Sequence, residues 1–359
     1  MNAAVLLLCV AALYALSVLV LRRFALPGLT CTRAFSQPAY FEGDEGEMIE
    51  VVRNDRPMII PWLRVESGVS PYIRFGRADN LNVSAMTHTC SLFTLMPYQQ
   101  IRRRHRVAFL RRGAYDLGSA ALTAGDLFGL AEIHREQEMS VPVLVYPRLM
   151  DEAALPAPLF RLMQETISQS GLLADPFLVR GIRPYQIGDP VRDIHWPATA
   201  RTGEAHIRLH DRSASCRLLV VLNVQRSAAQ WGDVLMDYEQ ESVEHEISLA
   251  ATLCMQALDA GLFAGFAANM PIGEAPGCAC LTPERGPDTR ERLLAAFARL
   301  RPVRALRFET FLRQLEDMTG LDVLVLSPYD CEEIQSALSA LRLRGNQTSL
   351  YITKGGGTS

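Results

Sequence analysis

The chain has 359 residues, with 36 basic and 39 acidic side chains and a formal net charge of −3. That length holds two or three domains, an apolar share of 49% supplies ordinary cores, and the lack of a global basic field argues against a dedicated nucleic-acid-binding protein. Lys354 is the only lysine, so neither a phosphate-cradling Gly-rich loop ending in Lys-Ser/Thr nor a Schiff-base lysine has a place here.

Residues 3–21 carry no charged side chain and are dominated by Leu, Val and Ala. As a helix they span roughly 28 Å, enough for a hydrocarbon core. Arg22 and Arg23 follow directly, and only Met1 and Asn2 precede. The basic n-region and the cleavage site of a signal peptide are both missing, so the segment reads as a transmembrane anchor over 1–23. Positive charge on its C-terminal side, Arg33 included, predicts a single-pass protein with its body in the cytoplasm. The cysteines at 9, 31, 90, 216, 254, 278, 280 and 331 form no paired framework, which suits reduced thiols in that compartment.

From 29 to 148 short apolar alternations are broken by turn formers. Residues 47–52, 59–65 and 107–110 read as strands, and Asn54-Asp55, Gly68, Arg112-Gly113 and Gly125-Asp126 as turns. Strands at this spacing predict an immunoglobulin-like β-sandwich. The basic run Arg102-Arg103-Arg104-His105-Arg106 offers contact with anionic lipid heads or a nucleic-acid phosphate, but a solvated strand or loop is preferred, because no aromatic platform or basic tail accompanies it in the sequence.

Between 149 and 215 lies a segment unlike either neighbour. Its centre, residues 180–201, packs Arg180, Arg183, Arg192, Arg201, Asp189, Asp193, His195, Tyr185 and Trp196 between Gly and Pro punctuation. It is too polar for a core strand and too rich in turn formers for a long helix. Arg183, Tyr185, Gly188, Asp189, Arg192, Ile194 and Trp196, followed by Ala200 and Arg201, closely resemble the signature of the domain-of-unknown-function 58 family. The stretches Arg111–Gly118, Asp126–Leu130 and Val145–Arg148 resemble the same family.

From 216 to 355 the period changes. Residues 218–222, 262–268, 321–326 and 349–353 read as buried strands, and 239–260, 289–300, 308–318 and 332–343 as helices. The alternation predicts a doubly wound, mostly parallel sheet. The order resembles a von Willebrand factor A-like domain, which fits the family. Such domains end their first strand in Asp-x-Ser-x-Ser, a loop that holds Mg²⁺. Here the matching positions are Asn223, Gln225 and Ser227, with Arg226 between them and Asp330 after a later strand. One carboxylate among neutral amides is a poor hard-cation site, so no metal and no other cofactor is expected.

Other constellations weigh less. His206 and His210 would lie roughly 13 Å apart on a strand, too far for one ion. Cys278-Ala279-Cys280 has no second ligand pair, and no Gly-x-Ser-x-Gly elbow occurs. The signature supports three readings: a charge-paired clasp packed by Tyr185 and Trp196, a docking site for another protein, and a catalytic Asp189–His195 pair. The clasp is preferred, with no catalytic residue assigned. The expected fold is a transmembrane helix, a β-sandwich, the signature segment and a von Willebrand A-like α/β domain. The family resemblance implies a bacterial, membrane-tethered, non-enzymatic scaffold that assists a MoxR-type AAA+ ATPase on envelope or membrane clients. Neither nucleic acid nor a small-molecule substrate is expected as a partner. The alternatives are a hydrolase using Asp189 and His195 or a cysteine, and an extracytoplasmic, metal-dependent adhesion module.

Overall fold

The computed structural model describes residues 3–24, 28–76, 81–84, 88–126, 132–172, 179–186, 194–210, 216–230 and 235–353. The chain divides into two compact units, Met1–Arg148 and Leu149–Ser359, so the segment read as a linker clusters with the second.

The first unit begins with helix α1 (Ala3–Phe24). Twelve strands follow: β1 (Leu29–Phe35), β2 (Ala39–Phe41), β3 (Glu45–Asn54), β4 (Ile60–Gly68), β5 (Ile73–Phe75), β6 (Leu81–Ser84), β7 (His88–Leu95), β8 (Gln100–Phe109), β9 (Gly113–Asp116), β10 (Ala120–Gly125), β11 (Glu132–Gln137) and β12 (Pro142–Tyr146). They form sheets of four (β1-β3-β8-β5), five (β11-β10-β4-β7-β6) and three strands (β2-β12-β9). Alternating burial along β1, β3 and β4 sends every second side chain inward. Leu29, Cys31 and Val52 of the four-stranded sheet meet Leu63, Val65, Phe93 and Leu122 of the five-stranded one. Met48, Val107 and Phe109 meet Tyr40, Val143 and Val145 of the three-stranded sheet, with Tyr40 stacked on Phe109 at 4.4 Å. One sheet thus serves two cores, where the sequence predicted a single sandwich.

The membrane span expected over 1–23 is corrected. Among the described residues no helix is long and apolar enough to cross a membrane. Residues Ala3–Phe24 do form a helix, but the hydroxyl of Tyr14, near its middle, hydrogen-bonds the carboxyl of Asp126 beyond β10. A polar latch at mid-helix ties α1 to the β unit. Arg33, expected as a flanking charge, is instead buried.

The second unit opens with a 3-10 turn and α2 (Ala157–Leu172). It continues with β13 (Val179–Pro184), α3 (Trp196–Thr202), β14 (His206–His210), β15 (Arg217–Leu222), α4 (Asp237–Asp259), β16 (Phe263–Ala268), β17 (Ala279–Glu284), α5 (Pro287–Arg299), α6 (Phe308–Gln314), β18 (Asp322–Ser327), α7 (Glu332–Leu343) and β19 (Gln347–Ile352). The order of the main sheet is β17-β16-β15-β18-β19, and only β17 runs antiparallel. On one face Leu219, Val221 and Val325 pack on Phe308, Phe311, Ile334 and Leu338 of α6 and α7. The opposite parity faces α4 and α5, with Phe266 and Phe297 rings 4.3 Å apart. Chain connections leave β15 toward β16 on one side and return to β18 on the other. The C-terminal ends of β15 and β18 therefore flank the topological switch point, where open α/β sheets place their sites.

Candidate functional site

Residues of the signature form a small module. Strands β13 and β14 pair antiparallel, with Arg183 opposite Ile207 and Pro184 opposite His206, and Ile194 bridges Ile207. The backbone closes through Tyr185 N–H to Ala205 O at 2.8 Å and His195 N–H to His206 O at 2.7 Å. Helix α3 starts at Trp196 with Pro197 in its first turn, where a missing N–H costs nothing. Its N-cap is His195, whose Nδ1 accepts the Ala198 N–H at 3.0 Å. An Nδ1 that accepts leaves the proton of the neutral ring on Nε2. Gly203, at φ 75°, ends the helix in the left-handed conformation that favours glycine. Thr199 ties the helix to the hairpin: its Oγ1 donates to His195 O at 3.1 Å and accepts from His206 N at 3.1 Å.

This module leaves its largest side chain outside. Trp196 is 66% exposed and Ile182 45%. Arg201 is exposed, while Arg183, Tyr185 and Ile194 are half-buried. The Arg183 guanidinium donates to its neighbour Pro184 O at 3.1 Å. Gly188, Asp189 and Arg192 lie outside the described residues. A clasp packed by the indole is not what these residues build, because Trp196 faces solvent. His206 and His210 occupy the two ends of β14, as the strand reading required.

At the switch point the metal-loop positions form a neutral, saturated network. Asn223 and Gln225 are fully buried, as are Asn269 after β16 and Ser327 at the end of β18. The Asn223 side chain donates to Ser327 Oγ at 2.9 Å. Its oxygen accepts from Gln225 N at 2.9 Å and from Asn269 Nδ2 at 3.3 Å. Asn269 Oδ1 accepts from Val224 N at 2.8 Å. Gln225 Nε2 donates to Ser227 O at 2.8 Å, and its Oε1 accepts from Phe308 N at 3.3 Å. Arg226 forms a two-point ion pair with Glu246 of α4 at 2.6 and 3.0 Å, and Thr353 Oγ1 donates to the same carboxylate at 2.6 Å. Ser227 and Asp330 are exposed, and Asp330 accepts from Gln335 at 2.8 Å. The amide oxygens are thus spent on internal donors, and no three His, Cys, Asp or Glu side chains cluster among the described residues. Sequence reading missed Asn269, Ser327, Glu246 and Thr353. A usable signal for Asn269 and Ser327 was present: each is a polar residue closing an apolar parallel strand.

The thiols are poorly placed for nucleophilic work. Burial pushes Cys278 and Cys31 up to about 11. Burial and the carboxylate of Asp322, which accepts from Cys216 Sγ at 2.8 Å, push Cys216 up to about 12. A reactive cysteine needs the opposite shift.

A second polar centre lies inside the β unit. Arg33 reaches Glu50 Oε1 at 2.6 and 2.8 Å and also hydrogen-bonds Ser67; His105 Nε2 sits 3.2 Å from Glu50 Oε2. All four residues are buried. Burial opposes the charge on Glu50, but the His105 hydrogen bond and the Arg33 guanidinium outweigh it and hold the carboxyl below its usual range.

Fold and sites together define a mixed α/β protein of several sheets, with an exposed hairpin–helix module and an amide-locked switch point. Residues 181–353, just under half of the chain, match the family model described as "Protein of unknown function DUF58", and the match supports that family. No curated protein matches the chain. Similar solved structures include a CARDB domain from Pyrococcus furiosus (14% identity, 33% of this chain and 93% of that one, TM-score 0.22). They also include the bacterial hydrophobin BslA (8%, 32% and 95%, 0.22) and a non-cellulosomal cohesin from Archaeoglobus fulgidus (9%, 32% and 86%, 0.20). At such scores the likeness carries no argument.

Proposed function

We propose that this is a non-enzymatic interaction protein whose β13–α3–β14 module docks a protein partner. The observation that carries the reading is the exposure of Trp196 on a framework fixed by the His195 cap and the Thr199 bridge. Rigidly presented Trp, Arg and Tyr side chains are the usual anchors of protein interfaces, and Arg201 and Tyr185 lie in the same module. The partner implied by the family resemblance is a MoxR-type AAA+ ATPase, and the reading places the encounter in the cytoplasm, where ATP is available. The second unit is proposed as von Willebrand A-like on its strand order and on the position of the Asn223 loop, with structural amides in place of a metal.

The rival readings have less support. A cysteine hydrolase would use thiols whose pKa is lowered, and here it is raised. Catalysis by His195 would spend the Nδ1 that caps α3. Metal-dependent adhesion would need anionic oxygens where Asn223 and Gln225 stand. Pull-down with a purified MoxR-type AAA+ ATPase tests the proposal. Trp196→Ala should abolish its recovery while thermal unfolding stays at the wild-type value, and recovery equal to wild type would sink the docking reading.

A further inference from the structure

The basic run of β8 acquires in the fold what it lacks in the sequence. Burial alternates along the strand, with His105, Val107 and Phe109 inward and Arg102, Arg104 and Arg106 outward. Successive outward guanidinium groups therefore repeat at about 6.7 Å along one flat face. Strand β5 pairs beside β8 and sets exposed Arg74 opposite Ala108. One residue earlier in the same outward parity stands Tyr72, 40% exposed and joined to β8 by Leu110 N–H to Tyr72 O at 2.8 Å. Arg111 holds that ring: its guanidinium lies 5.0 Å from the centroid, and its NH1 donates to the phenol oxygen at 2.9 Å. Against these charges stand Glu47, opposite Arg106 in the register and 3.7 Å from Arg104, and exposed Glu45, opposite Ala108. Arg74, Arg102 and Arg106 have no acidic partner among the described residues. The stripe runs about 26 Å, from Arg102 to Tyr72.

We infer that this sheet face binds an extended single-stranded nucleic acid through its phosphates, with Tyr72 stacking a base. A chain whose net charge is −3 here concentrates arginine on one surface, which marks a polyanion as the ligand class. Planar guanidinium groups pair with phosphate oxygens through two parallel donors. The period-2 spacing along a strand is comparable to the phosphate repeat of an extended single strand. An aromatic ring braced at the end of the stripe supplies a base platform, for which an acidic peptide or a lipid headgroup has no use. Composition predicted no nucleic-acid partner, because it averages away the charge that the β8–β5 register gathers.

Fluorescence anisotropy of the full chain with labelled oligo-dT, from 25 to 200 mM salt, tests the inference. Polyglutamate and vesicles of neutral and anionic phospholipid serve as competitors. The expected result is salt-dependent binding that steepens by about 0.7 in log–log slope per phosphate neutralised. Arg102→Ala with Arg106→Ala should flatten that slope by about 1.4. Tyr72→Ala should weaken binding roughly fivefold to a hundredfold, and Tyr72→Phe should keep it. All the altered side chains are exposed, and unchanged melting confirms that the variants fold. Absence of binding at the lowest salt, insensitivity to the arginine pair, or equal competition by polyglutamate or anionic vesicles would each overturn the assignment.

Discussion

The two units solve the same problem, a polar group inside a sheet protein, in opposite ways. The β unit buries an ion pair, Arg33 with Glu50, and adds His105. The α/β unit buries neutral amides at its switch point, Asn223, Gln225 and Asn269, and keeps the Arg226–Glu246 ion pair alongside them. The first arrangement is strong only while both charges stay paired, because an unpaired buried charge is far more costly than an unpaired amide. The amides of the second carry no charge and titrate over no ordinary pH. A polar core thus need not be a functional site in either unit, and the docking proposal rests on the exposed module instead.

The largest expected effect breaks the comparison on the charged side. Glu50→Ala leaves Arg33 buried without its carboxylate and should cost about 3–5 kcal/mol in urea unfolding followed by a probe of the β unit. Asn223→Ala should cost less, about 1–3 kcal/mol, because it strands the Gln225 N–H and removes one bond each from Asn269 and Ser327, which keep Leu306 O and Tyr329 O, but strands no charge. Equal losses from the two substitutions would remove the distinction between the units.

Acidity sharpens the contrast. The carboxyl of Glu50 is depressed in the folded state, so its contribution is fully present above the unfolded value of about 4.3 and is lost as pH falls through the lower folded value. Wild-type stability should therefore fall more steeply below about pH 5 than that of Glu50→Gln. The deficit of Asn223→Ala should be the same at pH 7.5 as at pH 5. A smaller effect tests the module itself. His195→Ala removes the α3 cap and should cost about 1 kcal/mol, whereas His195→Asn, an efficient cap, should recover most of it. Failure of the asparagine to rescue would mean that the ring does more than cap the helix.

Local pattern made the α/β unit readable. The run Leu218–Leu222 is apolar at every position because helices cover both faces of β15, and a buried parallel strand leaves that trace. Strand β17 left none: Pro283 lies within it, and it is an antiparallel edge strand whose register shifts near Gly265. Arg33 shows the limit from the other side. Its charge beside an apolar segment read as a topology signal, and only the long-range pairing of β1 with β3 puts Glu50 opposite it. The hydropathy of residues 3–21 likewise could not disclose Tyr14 meeting Asp126, more than a hundred positions away. The signature was legible as a family mark and as a junction in composition. The exposure of Trp196 was not, because it depends on Pro197 and the His195 cap starting a helix with its first side chain turned to solvent.

The central claim is that the signature module docks a partner instead of packing the protein together. Its most direct test is Trp196→Ala, measured for unfolding and for partner recovery on the same preparation. The account predicts stability within about 0.5 kcal/mol of wild type, as for an exposed surface position, together with loss of the partner. A stability loss of several kcal/mol, or full recovery of the partner by the variant, would contradict it.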